Sequence, residues 1–272
     1  MGMIQEDDST ARGSVALAAV GGGLHARVLD QIGVAICNGE LVTGTVLTVE
    51  EIETRYRVSR SVVREVVRVL ESMGLARSRR RVGMMVLPST SWNLFDPQVI
   101  RWKLASPSRL VQLQELTQLR TAIEPLAARL AAERSSLAQG SDLMGLAGRL
   151  WAAGHEQDDR AYVSLDILFH GLVLTSSGNE MFARLDSVVG VILRARTDYG
   201  YVPAHPHAEA LQLHVDVASA IQRRDADLAH DAMLRIMNRA TSEMTQAPDV
   251  RGARDRSLSQ NEQDSRAAGS VG

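Results

Sequence analysis

Two stretches in the second half of the chain carry side chains that can bind a metal ion or a small anion. Asp166 and His170 lie four residues apart in the apolar segment 165–174, and His214 lies in the apolar segment 211–221. Residues four apart share one face of a helix, so Asp166 and His170 are predicted to point towards one place. A carboxylate with imidazoles is a common ligand set for divalent cations. A lone histidine in an apolar helix is also typical of core packing, so the spacing leaves both interpretations open.

Arg120 and Glu124 form a second polar pair, upstream of that cluster. At this spacing they can form a surface ion pair that contributes roughly 0.3 kcal/mol. Leu116, Leu119 and Ile123 flank Arg120. The arginine can therefore also point into a helical bundle, where it would need a carboxylate or phosphate partner.

The hydrophobic pattern predicts a mainly α protein of two units. The chain has 272 residues, of which 45% are hydrophobic and only 4% aromatic, so it can bury aliphatic cores. Pro88 and Pro97 are interpreted as breakers of regular structure between the units. Both ends of the chain are poor in the apolar side chains that a core needs, which predicts disorder. The predicted organisation is a disordered leader (1–23), a winged helix-turn-helix (24–88), a linker (89–106), an all-helical bundle (107–246) and a disordered tail (247–272).

Cysteine content and hydropathy bear on location. Cys37 is the single cysteine, so no intrachain disulfide forms, which fits a reducing cytosol. Its apolar neighbours predict a small buried thiol. Because no apolar run reaches the ~20 residues of a spanning helix, we expect a cytoplasmic protein without a membrane partner.

The segment 48–75 predicts two short helices joined by a tight turn. Thr48 can cap the first helix, with Glu51 three residues later completing a capping box. Ser59 can cap the second, after a turn at 56–59. This arrangement is a helix-turn-helix, whose second helix meets base edges with its N-terminal residues. After Leu75, alternating apolar residues around a glycine predict a β-ribbon, or wing.

Positive charge is concentrated in this unit. Residues 55–81 contain nine arginines and two acidic residues, whereas the whole chain carries a net charge of −2. A basic stripe in one small domain is the expected footprint of nucleic-acid binding. A merely solvated basic face would leave the coincidence of capping box, turn and wing unexplained. The predicted contacts to double-stranded operator DNA are Arg55, Ser59, Arg60, Ser61, Arg64, Arg80, Arg81 and Gly83.

The segment 24–87 resembles the winged-helix domain of GntR-type bacterial regulators, most clearly in "VSRSVVREVVRVLESMGL" at 58–75. The resemblance implies that Arg60 and Arg64 contact DNA at the start of the recognition helix, and that Gly83 lets the wing tip approach the minor groove. The family wing usually carries Gly-x-Gly, and Arg81 stands at the first glycine position. Minor-groove recognition is therefore expected to depend on arginine charge.

The all-helical unit resembles the FadR-type effector domain of the same regulators, the FCD class. The matching stretches are "RTAIEPLAARLAA" at 120–132, "DILFHGLVLTSSGN" at 166–179 and "HVDVASAIQRRDADLA" at 214–229. The resemblance implies a divalent metal (Zn, Ni or Mn) held by one aspartate and three histidines, with a small carboxylate effector beside it. The first three ligand positions are Asp166, His170 and His214, and the fourth is Ile236, which cannot ligate.

Two interpretations follow from the missing fourth ligand. Three ligands can hold a metal and leave positions open for the effector's oxygens. Alternatively, the metal is lost and the same side chains hydrogen-bond the effector directly. His205 and His207 are a further candidate source of the missing ligand. The expected effector-binding residues are Arg120, which meets the carboxylate in the family, together with Asp166, His170, Asn179, Arg194 and His214; Arg196 and Arg194 were weighed both as pocket and as solvent-facing residues.

The stretch "WNLFDPQVIRW" at 92–102 resembles the linker of the subgroup that responds to sugar acids such as galactonate or gluconate. The expected function is therefore a homodimeric, ligand-responsive repressor of a sugar-acid operon. The alternatives are a regulator of another organic acid, a metal-dependent enzyme using the Asp/His set, and an architectural DNA-binding protein. The enzyme would lack an obvious general base, and the architectural protein would leave Arg120 without a role.

Overall fold

The computed structural model of the chain describes residues 23–79, 82–201 and 207–246. Arg80, Arg81 and His205 lie outside the described residues, as do nearly all of the predicted leader and the whole predicted tail. None of the described helices is long and apolar enough to cross a membrane.

The N-terminal unit is a winged helix-turn-helix, as predicted. β3 pairs antiparallel with both other strands, in the order β1-β3-β2, so β2 and β3 form the wing. Valine and leucine side chains from α1 and α3 fill its core, and Cys37 packs at the edge of that core. Burial raises the pKa of the Cys37 thiol to about 12, which excludes a reactive thiolate. The elements are α1 (Leu24–Cys37), β1 (Val46–Leu47), α2 (Val49–Tyr56), α3 (Arg60–Ser72), β2 (Ala76–Arg79) and β3 (Gly83–Val86).

The two helix starts differ in how they are capped. The capping box at α2 is confirmed, because Glu51 N donates to Thr48 Oγ1 (3.1 Å) and Thr48 N donates to Glu51 Oε2 (2.7 Å). Ser59 stands at the N-cap position of α3 but makes no side-chain cap, so that prediction was wrong. Its hydroxyl lies 2.9 Å from the hydroxyl of Ser61 instead. The turn between the helices places Arg57 in the left-handed region (φ 53°).

The segment predicted as a linker contains a packed helix, α4 (Pro97–Leu104). Pro97 begins this helix and does not break it, since a proline at the first helical position gives up no helical hydrogen bond. Asp96 caps the helix by accepting from Gln98 N at 2.7 Å. Trp102 is buried with the core of the N-terminal unit, and Leu104 is buried with α5 and α9. The helix therefore contacts both units.

The C-terminal unit is helical throughout its described residues, which confirms the mainly α class. Its core combines alanines and aliphatic residues of α5, α6, α7, α10 and α11 around the single buried phenylalanine, Phe169. The helices are α5 (Arg109–Arg134), α6 (Leu137–Glu156), α7 (Asp159–Ser176), α8 (Glu180–Ala183), α9 (Asp186–Asp198), α10 (Ala208–Gln222) and α11 (Ala226–Gln246).

The contact between α1 and α4 depends on a glycine. A Cβ built on Gly33 would lie 2.5 Å from the Trp102 ring, and Trp102 Nε1 donates to Asp30 Oδ1 at 2.9 Å. We expect Gly33→Ala to lower the free energy of unfolding by about 1–3 kcal/mol, because the indole must leave its place. The matched control is Gly145→Ala, in α6, where nothing lies within 4 Å of the added methyl. This control should gain about 0.5–1 kcal/mol from helix propensity. Urea unfolding measures both, and a stabilising Gly33→Ala would contradict the packing.

Candidate effector site and DNA-binding face

The structure brings Asp166, His170 and His214 together. α7 supplies the first two and α10 the third, and one ligand atom from each lies within 4.8 Å of the others. Asp166 Oδ1 lies 3.0 Å from His214 Nε2 and 3.5 Å from His170 Nε2. Both histidines are buried. We call these residues the Asp–His–His triad.

The outer contacts of the two histidines turn their Nε2 atoms towards Asp166. His170 Nδ1 lies 2.5 Å from Glu124 Oε2, and His214 Nδ1 lies 2.7 Å from the carbonyl oxygen of Ala210. Contacts of this kind orient the rings of metal-binding histidines. The triad therefore fits a divalent cation that has three protein ligands and open positions for other oxygens.

Arg120 points into the bundle and is 1% exposed. Its Nε donates to Glu124 Oε1 at 2.5 Å, so the surface interpretation of this pair was wrong. Glu124 is equally buried and bridges Arg120 and His170. Burial alone would raise the pKa of Glu124, but Arg120 and His170 outweigh it and lower the pKa to about 2. The carboxylate is thus ionised inside the bundle.

The triad is strongly coupled. Burial disfavours the charge of Asp166, but the two histidines hold its pKa well below the ordinary range. Burial likewise opposes the charge of His170, and Glu124 and Asp166 outweigh it to raise the pKa of His170 to about 9. A metal at the triad must displace the His170 proton, so metal affinity falls as the pH falls.

α9 presents Arg196, and not Arg194, to the interior. Arg194 is exposed, so we leave it out of the site, whereas Arg196 is 5% exposed. Arg196 Nη2 donates to Glu243 Oε2 (3.2 Å) and to the carbonyl oxygen of Ala240 (3.3 Å). Helical spacing distinguishes the two arginines, because Arg196 shares the buried stripe of Val189 and Leu193.

Sequence reasoning did not find three polar residues that lie near Arg196. Glu243 also accepts an ion pair from Arg239, whose Nε is 3.0 Å from Glu243 Oε1. Burial, with Asp166 and Glu243 nearby, raises the pKa of Tyr162, so its hydroxyl is neutral. Alternation of polar and apolar residues along α11 does mark an amphipathic helix, but it does not show which helix that face meets.

The remaining predicted positions have local roles. Asn179 caps α8, since its Oδ1 accepts from Met181 N (3.0 Å) and Phe182 N (3.4 Å). Ile236 is 8% exposed and packs in the apolar core, so α11 offers a hydrocarbon where the family has its fourth ligand. His207 precedes α10 and is exposed, outside the triad.

The N-terminal part of α3 forms an exposed polar face. Arg60, Ser61 and Arg64 are exposed, while the buried side of α3 consists of Val63, Val66, Val67 and Leu70. The first N–H groups of α3 are not used by a side-chain cap, and such groups favour phosphate. Arg55, at the end of α2, is also exposed and lies over the Tyr56 ring at 5.6 Å.

Gly83 has a reason within the protein for being glycine. Its φ is +140°, and a Cβ there would lie 2.0 Å from the carbonyl oxygen of Leu47. The close pairing of β3 with β1 therefore requires glycine, whatever the wing meets. Arg77 and Arg79, on β2, are exposed beside it.

Known proteins match both units. The family model of bacterial regulatory proteins of the gntR family matches residues 24–86, and that of the FCD domain matches residues 115–239. The chain is 31% identical over 220 residues to the galactonate operon transcriptional repressor of Escherichia coli (strain K12), covering 79% of this chain and 94% of that protein.

Two further relatives have the same organisation. The probable D-xylose utilization operon transcriptional repressor of Paenarthrobacter nicotinovorans is 25% identical over 212 residues, covering 76% of this chain and 82% of that protein. The solved structure of Streptococcus agalactiae GntR has 25% identity and a TM-score of 0.45, covering 82% of this chain and 100% of that chain. The resemblance predicted for each unit is confirmed by the family matches: the chain belongs to the gntR family of bacterial regulatory proteins, and is a DNA-binding transcriptional regulator whose helical unit is an FCD domain.

Proposed function

We propose that this regulator represses a sugar-acid catabolic operon, of the galactonate or gluconate kind, and leaves its operator when a small carboxylate binds in the helical bundle. The observation that carries the proposal is the buried polar set, the Asp–His–His triad with Arg120, inside an otherwise apolar core. A polyhydroxylated acid offers oxygens to both the cationic and the hydrogen-bonding members of this set. The relative that represses a galactonate operon supports the choice of ligand.

In this proposal the regulator acts as a homodimer on a palindromic operator. Its two recognition helices, α3 of each protomer, meet half-sites one helical turn apart or a multiple of that distance. The effector releases DNA because it binds the DNA-free arrangement of the dimer more tightly than the operator-bound one. α4, buried against both units, is the element that passes the change between them.

The triad would hold a Zn, Ni or Mn ion through Asp166, His170 and His214. Such a cation, when bound, attracts and orients the effector's oxygens. Without it, the same side chains hydrogen-bond the effector directly. A metal-dependent enzyme on this triad is the alternative from another class, but it leaves the exposed arginines of α3 unexplained.

A thermal-shift titration tests the effector class. We expect D-galactonate or D-gluconate at 100 times its Kd to stabilise the protein by about 2.7 kcal/mol, which raises Tm by roughly 5–10 °C. The same acid should release the protein from DNA. Repeating the titration with a chelator separates the two modes: a lost shift means metal-assisted binding, and a retained shift means direct contact. A shift with lactate alone would replace the sugar acid by another organic acid, and no shift with any acid would contradict the proposal.

A further inference from the structure

Two guanidinium groups inside the bundle retain unused donors. Arg120 Nη1 and Arg196 Nε are both buried, and among the described residues neither has a hydrogen-bond acceptor. Arg120 is 1% exposed and Arg196 is 5% exposed, so solvent does not take the place of the missing acceptors. A buried charged donor without a partner is costly, and such donors in a ligand site are typically completed by the ligand.

Arg120 by itself is a poor site for a carboxylate. Its Nε and Nη2 already face Glu124, at 2.5 and 3.4 Å, and the Glu124 carboxylate balances its charge. The fork that would grip a carboxylate bidentately is therefore occupied within the protein. An effector carboxylate that approaches Arg120 finds only Nη1 free, and it meets the repulsion of Glu124.

Arg196 supplies the missing positive charge. Burial, and then the charge of Arg120, lower the pKa of Arg196, which places the two guanidinium groups close enough to repel each other. Glu243 lies 3.2 Å from Arg196 Nη2 and leaves its Nε free. An anion between the two arginines would relieve this repulsion and satisfy both unused donors.

We propose that Arg120 and Arg196 form a clamp that binds the effector's carboxylate, with Arg120 Nη1 and Arg196 Nε as the two donors. This inference rests on the proposed function in assuming that a carboxylate is the signal. It adds that Arg196, on α9, selects for that group. In the clamp the carboxylate lies between α5 and α9, and the hydroxyls of a sugar acid face the Asp–His–His triad. Binding then joins α9 to α5, and both of these helices pack on Leu104 of α4.

The test compares Arg196→Met with Arg194→Met in the full chain, by calorimetric titration with D-galactonate, glycolate and the neutral galactitol. Arg194 lies two residues away on the exposed side of the same helix. We expect Arg196→Met to weaken binding of the acids about 10- to 100-fold, the usual loss for a charge-assisted hydrogen bond. Arg194→Met should bind as wild type does. Arg196→Lys, which keeps the charge but not the fork, should lie between them. Because neutral galactitol lacks the carboxylate, Arg196→Met should not weaken its binding.

Unchanged melting temperature and DNA binding of Arg196→Met, or of Arg196→Lys if the methionine variant does not fold, show that the loss is local. If glycolate binds in an Arg196-dependent way and galactonate does not bind, the clamp stands and the sugar-acid proposal fails. If an acid binds equally well to wild type and to the Arg196 variants, or if neither acid binds wild type, the clamp is overturned. An equal loss in Arg194→Met also overturns it.

Discussion

Replacing Arg60 or Arg64 with alanine is expected to weaken operator binding by about 30-fold or more. Each residue is exposed in the first turns of α3, where a recognition helix meets base edges. A lost base contact costs about 1–3 kcal/mol per half-site, and a dimer loses two of them. If the lost contact is to phosphate, the loss is uniform across sequences, and the slope of log K against log salt becomes shallower by about 1.8.

DNA selected from a random pool by the wild-type protein supplies the duplex, and binding at several salt concentrations supplies both readouts. Arg68→Ala is the matched control. Arg68 lies on the same helix, 71% exposed, but beyond the first two turns and 2.7 Å from Glu65. Its removal should change affinity only slightly. Equal losses for Arg68→Ala and Arg60→Ala would mean that α3 contributes general positive charge and does not read bases.

The sequence is informative about this face because its signals are local. The capping box of α2, the turn at Arg57 and the amphipathic pattern of α3 each depend on residues within one or two turns. Such patterns therefore give α2, α3 and the wing without knowledge of their packing. Pro97 shows the limit of local reasoning: the same residue breaks a helix from within and favours its first turn, and Asp96 as a cap decides between the two.

The effector site depends on contacts that are remote in the chain. The spacing of Asp166 and His170 places them on one face, and the family pattern adds His214 from α10. No spacing rule links Arg196 to Glu243, 47 residues away, because one sequence does not specify which helix faces pack together. The pair Arg120–Glu124 is the clearest case, since the same i,i+4 spacing serves a surface ion pair and a fully buried one.

Burial makes that pair the most sensitive point of the bundle. Arg120→Met is expected to lower the free energy of unfolding by about 3–5 kcal/mol, because it leaves the ionised Glu124 without its main counter-charge in the core. Arg129→Met, also on α5, is the control. Its ion pair with Asp227 is 41% and 83% exposed, so the change should cost at most about 1 kcal/mol.

The double variant Arg120→Met/Glu124→Leu separates stability from function. Removing both charges takes away the unpaired carboxylate, so most of the loss should be recovered, since apolar replacements of a buried ion pair are often neutral or better. The recovered protein should still lack the galactonate-induced thermal shift and should remain on DNA, because Arg120 Nη1 and the Glu124 contact that orients His170 are both gone. Urea unfolding, thermal shift and DNA release give the three readouts. A double variant as unstable as Arg120→Met would mean that the cavity, and not the unpaired charge, causes the loss. A double variant that still responds to galactonate would place the effector elsewhere in the molecule.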